Sequence, residues 1–379
     1  MKWPWVPFDE VVQDCTGGKP RLLVSSYESA GKLPVIDQGQ SFISGYTNNC
    51  ANACDVQLPC ILFGDHTKTF KFLERPFALG ADGVKVLVPS SKLDARFGFH
   101  YLRTLRFPGD TGYSRHFKFL RRASVPLPPI EEQKRIAAIL DKADAIRRKR
   151  EQAIQLADEF LRSLFLDMFG DPVRNPKGWP VLTFRQVLFE IEAGSSVNGE
   201  QRTINPGEKA VLKISAVTRG SFDPLEIKVV ASADVPSKPI TPNNGDLLFS
   251  RANTRELVAA TCIVDGDHPN IFLPDKLWRL SVNKHLVTPE YLHFMLSHDR
   301  YRKRLTKVAT GTSGSMLNIS QAKLLSHLLP VPLMTLQKCF SEIVVSRAVL
   351  NRRVRSMHAE GKFLLSALSH EAFRSTLIL

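Results

Sequence analysis

Long hydrophobic runs are absent from this chain: no stretch of its 379 residues approaches the roughly 20 uninterrupted apolar positions of a membrane span. The first ten residues, MKWPWVPFDE, lack the apolar core of ~7–15 residues that marks a secretory leader. A cytoplasmic protein with no membrane contact is the expectation. Cysteine is scarce, with six residues in the whole chain, too few for a disulfide scaffold at this length. Cys50, Cys54 and Cys60 invite a zinc reading, with His66 as the nearest fourth ligand. Their spacing does not give the paired C-x-x-C knuckles of structural zinc sites, so buried thiols and no metal are expected. Catalytic signatures are missing too. There is no Gly-x-x-x-x-Gly-Lys-[Ser/Thr] phosphate loop and no Asn/Asp-Pro-Pro-aromatic run; Asn175-Pro-Lys-Gly178 is a turn. The nearest carboxylate clusters are Asp265-Gly-Asp267, which reads as a hairpin turn, and Asp275-Lys276. No residue is assigned a catalytic role.

What is present is positive charge. The 51 basic and 37 acidic residues leave a formal net charge of +14, which points to a polyanionic partner. Residues 1–130 carry 16 basic and 11 acidic side chains, and residues 171–334 carry 20 and 15. Between them, residues 131–170 carry eight of each sign. Two basic blocks joined by a neutral connector is the resulting picture.

The chain also repeats itself. Pro126, Pro128, Gln133 and Lys134 recur as Pro330, Pro332, Gln337 and Lys338 at an offset of 204. Trp3-Pro4 and Phe8 recur as Trp179-Pro180 and Phe184 at an offset of 176. The offsets differ by 28, so the second copy carries that many extra residues inside its domain.

Each copy ends in a helix. Prolines 126, 128 and 129 close the domain before it, Glu131 and Glu132 suit its first turn, and Gly170-Asp-Pro172 stops it. Ile136, Ile139, Ala143, Ile146, Ala153, Ala157, Phe160 and Leu164 fall on heptad a and d positions. The second copy offers Phe340, Ile343, Leu350, Val354, Met357, Leu364 and Leu368, with Arg347 and Gly361 as exceptions. The two stripes predict an antiparallel coiled coil relating the halves by a pseudo-twofold axis. The blocks before the helices hold short β-rich runs broken by turns, such as Cys60-Ile-Leu-Phe63, Val84–Val88 and Asp246-Leu-Leu-Phe249. An α+β class is expected, with the strand order left open.

A proline-rich lead-in Pro126-Leu-Pro-Pro-Ile-Glu-Glu-Gln-Lys134, the run Asp246-Leu-Leu-Phe-Ser-Arg-Ala-Asn253 and Gly311-Thr-Ser-Gly-Ser315 before a second lead-in together resemble the type I restriction-modification specificity subunit. The second lead-in departs from the pattern, with Met334-Thr-Leu-Gln337 in place of a Glu-Gln pair. The resemblance implies two target-recognition domains, residues 1–130 and 171–334, each followed by a conserved spacer helix, 131–170 and 335–379. It implies a non-catalytic subunit that reads a bipartite double-stranded DNA site. Methyltransferase subunits, two of them, and a restriction or motor subunit are the implied partners. S-adenosylmethionine, ATP and magnesium would then sit on those partners, with no cofactor on this chain. Gln133, Lys134, Gln337 and Lys338, recurring where each helix begins, are the expected partner contacts.

Readers of base edges are typically Arg, Lys, Asn and Gln on loops beside strands. The segment Ser250-Arg251-Ala-Asn253-Thr-Arg255 leaves a strand with five polar side chains in six positions; a plain surface turn capped by Asn253 is the alternative. Lys213 and Arg219 flank a second such segment, and Lys68, Arg115 and His116 hold comparable positions in the first domain. Thr312 lies in a glycine-serine loop whose amides could meet a phosphate. A self-sufficient DNA-processing enzyme, nuclease or methyltransferase, and a protein scaffold are the competing readings. Hydrolysis or methylation by the purified chain would favour the enzyme, and salt-insensitive behaviour without DNA binding would favour the scaffold.

Overall fold

The structure, a computed structural model, describes residues 3–107, 115–311 and 316–348. Among these, internal contacts divide the chain into two units, one up to Glu151 and one from Gln152.

The first unit opens with β1 (Trp5–Pro7), α1 (Phe8–Val11) and β2 (Val12–Asp14). Six strands follow: β3 (Leu33–Ile36), β4 (Gly45–Thr47), β5 (Cys60–Gly64), β6 (Phe70–Leu73), β7 (Ala78–Leu79) and β8 (Val84–Pro89). Helices α2 (Ala95–Leu102) and α3 (Phe117–Leu120) and strand β9 (Ser124–Pro126) lead to α4 (Ile130–Phe169). The main sheet is antiparallel in the order β2-β8-β5-β6. A second sheet runs β4-β3-β7, with β3 antiparallel to β4 and parallel to β7. A ribbon of β1 and β9 closes the unit.

The second unit contains β10 (Val181–Thr183), α5 (Phe184–Val187), β11 (Leu188–Ala193), β12 (Lys209–Leu212), α6 (Ser215–Thr218) and β13 (Ile227–Val230). It continues through β14 (Leu247–Ser250), β15 (Ala252–Asn253), β16 (Thr261–Ile263), β17 (Ile271–Phe272) and β18 (Leu277–Val282). Then come α7 (Pro289–Ser297), α8 (Asp299–Val308), β19 (Leu317–Asn318), α9 (Gln321–Leu325) and β20 (Leu328–Pro330). Its sheets are β11-β18-β14-β16, β13-β12-β17 and β10-β20. The order is that of the first unit, strand for strand, including the parallel pair, here β12 with β17. The β15–β19 ribbon has no counterpart among the described residues of the first unit. The repeat seen in sequence is therefore a repeat of topology, and both halves are α+β.

The central strands show why these runs fold as they do. All five residues of β5 are buried, because alternate side chains enter different cores. Ile61 and Phe63 join Phe8, Phe97 and Tyr101 on one face, while Cys60 and Leu62 join Ile36, Phe77 and Val86 on the other. Strand β14 splits likewise, with Leu247 and Phe249 in one core and Leu248 in another.

The ends of α4 are anchored. Ile136, Ala137 and Leu140 belong to the core of the first unit, and Phe165 and Phe169 to that of the second, with Leu164 and Met168 packed against it. The helix stops at Gly170, whose φ of +80° favours glycine, and the Trp179 indole donates to the Phe169 carbonyl at 2.9 Å. Residues 334–348 are helical and run antiparallel to the last turns of α4. The Phe340 ring lies 5.4 Å from Phe169 and 5.7 Å from Phe165, and seven residues on, Arg347 pairs with Asp158. The seam residues Ile139, Ile146 and Phe160 are 40, 51 and 60% exposed. Their expected partners from Leu350 to Leu368, and Gly361, lie outside the described residues.

Candidate nucleic-acid interface

The recurring glutamines turn out to be internal clamps. Gln133 is 1% exposed; its amide donates to the carbonyls of Lys92 at 3.0 Å and Pro128 at 2.8 Å. Its Oε1 accepts from the backbone N–H of Asp94 at 2.8 Å, and Asp94 in turn caps α2 by accepting from Phe97 N–H. Gln337, fully buried, repeats every bond. It donates to Leu286 and Pro332 carbonyls at 3.0 and 2.8 Å and accepts from Thr288 N–H at 3.0 Å, and Thr288 caps α7 through Tyr291 N–H. Each clamp thus locks the proline turn and the start of the following helix to the N-cap of an earlier helix, α2 in the first unit and α7 in the second. The partner-contact reading of Gln133 and Gln337 is corrected: neither amide reaches the surface, because all its donors and its carbonyl are committed within the chain. Lys134 and Lys338 are exposed, with Lys134 salt-bridged to Glu131 one turn away at 2.9 Å.

In the first unit, Lys68 stands in the β5–β6 turn with φ of 58°, its N–H bonded to the Gly64 carbonyl. Gln40 reaches Thr69 Oγ1 at 3.5 Å in the same turn. The loop bearing Gln38 and Gln40 is drawn in by Lys71, whose ammonium donates to the carbonyls of Asp37 at 2.8 Å and Ser41 at 2.5 Å. Burial pulls the Lys71 pKa down, opposed by the Asp37 carboxylate. Sequence reading missed this buried lysine, whose place in a strand alternating with Phe70 and Phe72 is its only signal. Arg115 is exposed. His116 is not available to DNA: it is 5% exposed, its Nδ1 lies 2.9 Å from the Asp65 carbonyl, and Phe107 and Phe119 flank its ring.

In the second unit, Ser250 is also removed from the candidate set. It is the last residue of β14 and fully buried, so its hydroxyl cannot reach a base. Lys213 is neutralised by Glu226 at 2.7 Å, which also accepts from Ser215 Oγ, while Arg219 at the end of α6 is exposed. Arg251 is half-buried and tied down, its Nε donating to the Asp275 carbonyl at 2.9 Å with the guanidinium 5.8 Å from the Trp278 ring. Asn253 accepts from Thr254 N–H at 2.8 Å, the turn-capping geometry of the alternative reading. Arg255 is exposed. Pairing of β15 with β19 sets Asn253 opposite Leu317, so the 251–255 segment lies beside the strand that follows the glycine-serine loop. Thr312 itself lies outside the described residues.

Sequence reading passed over the most basic element of this unit. Helix α8 holds Arg300, Arg302, Lys303, Arg304 and Lys307 against one acid, Asp299. Tyr301 and Leu305 are its buried residues, and Tyr301 bonds the Leu328 carbonyl at 2.8 Å. Lys303, Arg304 and Lys307 face outward.

Among the described residues no group of three or more His, Cys, Asp or Glu side chains could hold a metal ion. Cys50 is exposed, whereas Cys54 and Cys60 are buried, and burial pushes the Cys60 thiol up to about 12. No helix of the described residues is long and apolar enough to cross a membrane.

The sequence model of the type I restriction modification DNA specificity domain matches residues 2–156. The specificity subunit of the EcoR124I/EcoR124II type I restriction enzyme of Escherichia coli is 22% identical over 364 residues, covering 90% of this chain and 85% of that subunit. A type I restriction-modification S subunit from M. genitalium superposes with a TM-score of 0.62 at 14% identity, over 100% of this chain and 97% of that one; this likeness is one of fold. Sequence and fold alike indicate a type I restriction-modification specificity subunit. The EcoKI specificity subunit of Escherichia coli (strain K12) is 28% identical over 206 residues, 50% of this chain. The chain covers 43% of the EcoKI subunit and 27% of the EcoEI subunit, less than half the length of either. These likenesses favour a subunit over a self-sufficient DNA-processing enzyme.

Proposed function

We propose that this chain is the DNA-reading subunit of a type I restriction-modification enzyme, itself without catalytic activity and working in the cytoplasm. Residues 1–130 and 171–334 each read half of a bipartite duplex site, and the segments 131–170 and 335–379 space the halves. Two methyltransferase subunits dock on those segments, with Lys134 and Lys338 among the contacts, and a restriction or motor subunit completes the assembly. S-adenosylmethionine, ATP and magnesium belong to these partners. Lys68 and Arg115 in one lobe, and Arg219, Arg251, Asn253, Arg255 and Thr312 in the other, supply the DNA contacts, Arg251 through whatever reach its tether to Asp275 leaves.

The observation that carries this reading is the duplicated lobe: two units with one strand order, each clamped by a buried glutamine to the helix that follows it. A split site needs two readers of one design. The test is reconstitution. The purified chain should bind a bipartite duplex without methylating or cutting it, and added methyltransferase subunits should restore methylation at that site. Methylation by the chain alone refutes the reading.

A further inference from the structure

The 28 extra residues of the second copy are distributed unevenly. Phe8 and Phe184 are 176 apart, the N-caps Asp94 and Thr288 are 194 apart, and Gln133 and Gln337 are 204 apart. Ten of the extra residues therefore fall between the N-cap and the clamp, the length of α8. Helix α8, within that longer stretch, is basic on its outer face. Arg300 is used internally, salt-bridged to Asp171 at 2.7 Å. Among the described residues, no ion pair engages Lys303, Arg304 or Lys307. Like charges three and four residues apart repel, at about 0.2–0.5 kcal/mol per pair, so this face destabilises its own helix when uncovered.

Arg302 does something different. Its guanidinium turns inward and donates to the carbonyls of Val258, at 3.2 Å, and Glu256. The turn that carries Arg255 is thereby fastened to α8. That turn includes Ala259 at φ of 64°, a left-handed conformation costing about 1–2 kcal/mol for a residue with a Cβ. A strained turn, held by an arginine that makes no salt bridge among the described residues, keeps the exposed Arg255 beside a self-repelling basic face.

We propose that Lys303, Arg304 and Lys307 of α8, together with Arg255 on the tethered turn, form a phosphate-gripping surface for duplex DNA in the second lobe, with Arg302 as its positioning residue. Arg300 to Lys307 spans about 10 Å of helix, matching about three phosphate steps at about 3.4 Å of axial rise each. The grip is independent of sequence and adds affinity to the half-site read by this lobe. It rests on the DNA-reading function proposed above.

The experiment measures binding of the full chain to a mixed-sequence duplex across a salt series. The triple variant Lys303→Gln/Arg304→Gln/Lys307→Gln should lower the slope of log affinity against log salt by about two to three, since each phosphate contact contributes about 0.9. Near physiological salt this is a loss of about one hundred-fold, with sequence preference unchanged. The charge-matched variant Lys228→Gln/Lys238→Gln/Lys284→Gln, built on exposed lysines of the same unit, should change the slope by less than about one. Arg255→Gln should weaken binding in the native background and lose most of that effect in an Arg302→Ala background. Removing the repulsion leaves the triple variant at least as heat-stable as the native chain, so misfolding does not explain a loss. An unchanged slope in the α8 variant, or equal losses in both triple variants, overturns the proposal. Failure of the unaltered chain to bind DNA at low salt overturns instead the reading on which it rests.

Discussion

Replacing Gln133 by leucine keeps the volume but removes an amide that makes three hydrogen bonds at 2.8–3.0 Å from a side chain 1% exposed. The Asp94 N–H and the carbonyls of Lys92 and Pro128 would be left without that partner. A buried group stranded this way costs about 1–3 kcal/mol, and carbonyls that relax toward water cost least. A total of about 3–5 kcal/mol follows for the first unit, among the larger single-residue effects. For a unit of roughly 150 residues, each kcal/mol moves the melting point by about 2–4 °C, so a drop of about 10 °C is expected. Gln337→Leu should act with similar size on the second unit, because its three bonds repeat those of Gln133. Differential scanning calorimetry of both variants, with urea titration for the free energies, reads these values. Gln133→Glu sharpens the test. A carboxylate there faces two carbonyl oxygens, so the folded state favours the protonated acid and holds its pKa above the unfolded ~4.3. The penalty is then present above that unfolded value and shrinks as pH falls. Glutamate should be worse than leucine at pH 8 and recover at pH 5. A loss under about 1 kcal/mol for either leucine variant, or a glutamate variant indifferent to pH, would refute the clamp.

Ser250→Ala should leave DNA binding unchanged and stability equal or slightly higher, since the Ser250 hydroxyl is buried and meets no hydrogen-bond partner among the described residues; loss of binding in a duplex titration would contradict the placement. Arg251→Ala should lower the urea midpoint by the equivalent of about 1–2 kcal/mol as well as weaken binding, because its guanidinium bridges Asp275 and Trp278. Half-buried His293, bonded to Thr261 at 2.9 Å, has its pKa pushed down to about 4 by desolvation. The folded state thus prefers the neutral ring. Stability should fall once pH drops below the unfolded value of ~6.5, by up to about 1.4 kcal/mol per unit, and level off near pH 4. His293→Gln should remove that part of the acid slope.

Much of this architecture is legible in the chain because duplication leaves two readings of one pattern. The offsets of 176 and 204 mark the ribbons: Phe8 N–H meets the Ala123 carbonyl as Phe184 N–H meets that of His327, both at 3.0 Å. The strand order is not legible, because strands of two to six residues draw their register from partners far along the chain. The parallel partners Val35 and Ala78 are 43 positions apart, and Ala210 and Ile271 are 61 apart. Recurrence also misled: Gln133 and Gln337 recur for an internal bond pattern, which repeats as faithfully as a docking contact would. Ser250 looked like the start of a polar loop, yet four buried residues in a row make β14 an interior strand that ends on a hydroxyl. Helix α8 escaped because its charge was averaged over a block of 20 basic and 15 acidic residues. A ten-residue window would have isolated it.

The β1–β9 and β10–β20 ribbons bring the first and last strands of each lobe side by side. The polypeptide enters and leaves a lobe through one doorway, so whatever is threaded between the two strands can lengthen, shorten or be exchanged while the doorway keeps its shape. The second lobe has already accepted 28 residues on those terms. New target preferences can arise in such a molecule by trading whole inserts, with the framework beyond the doorway untouched.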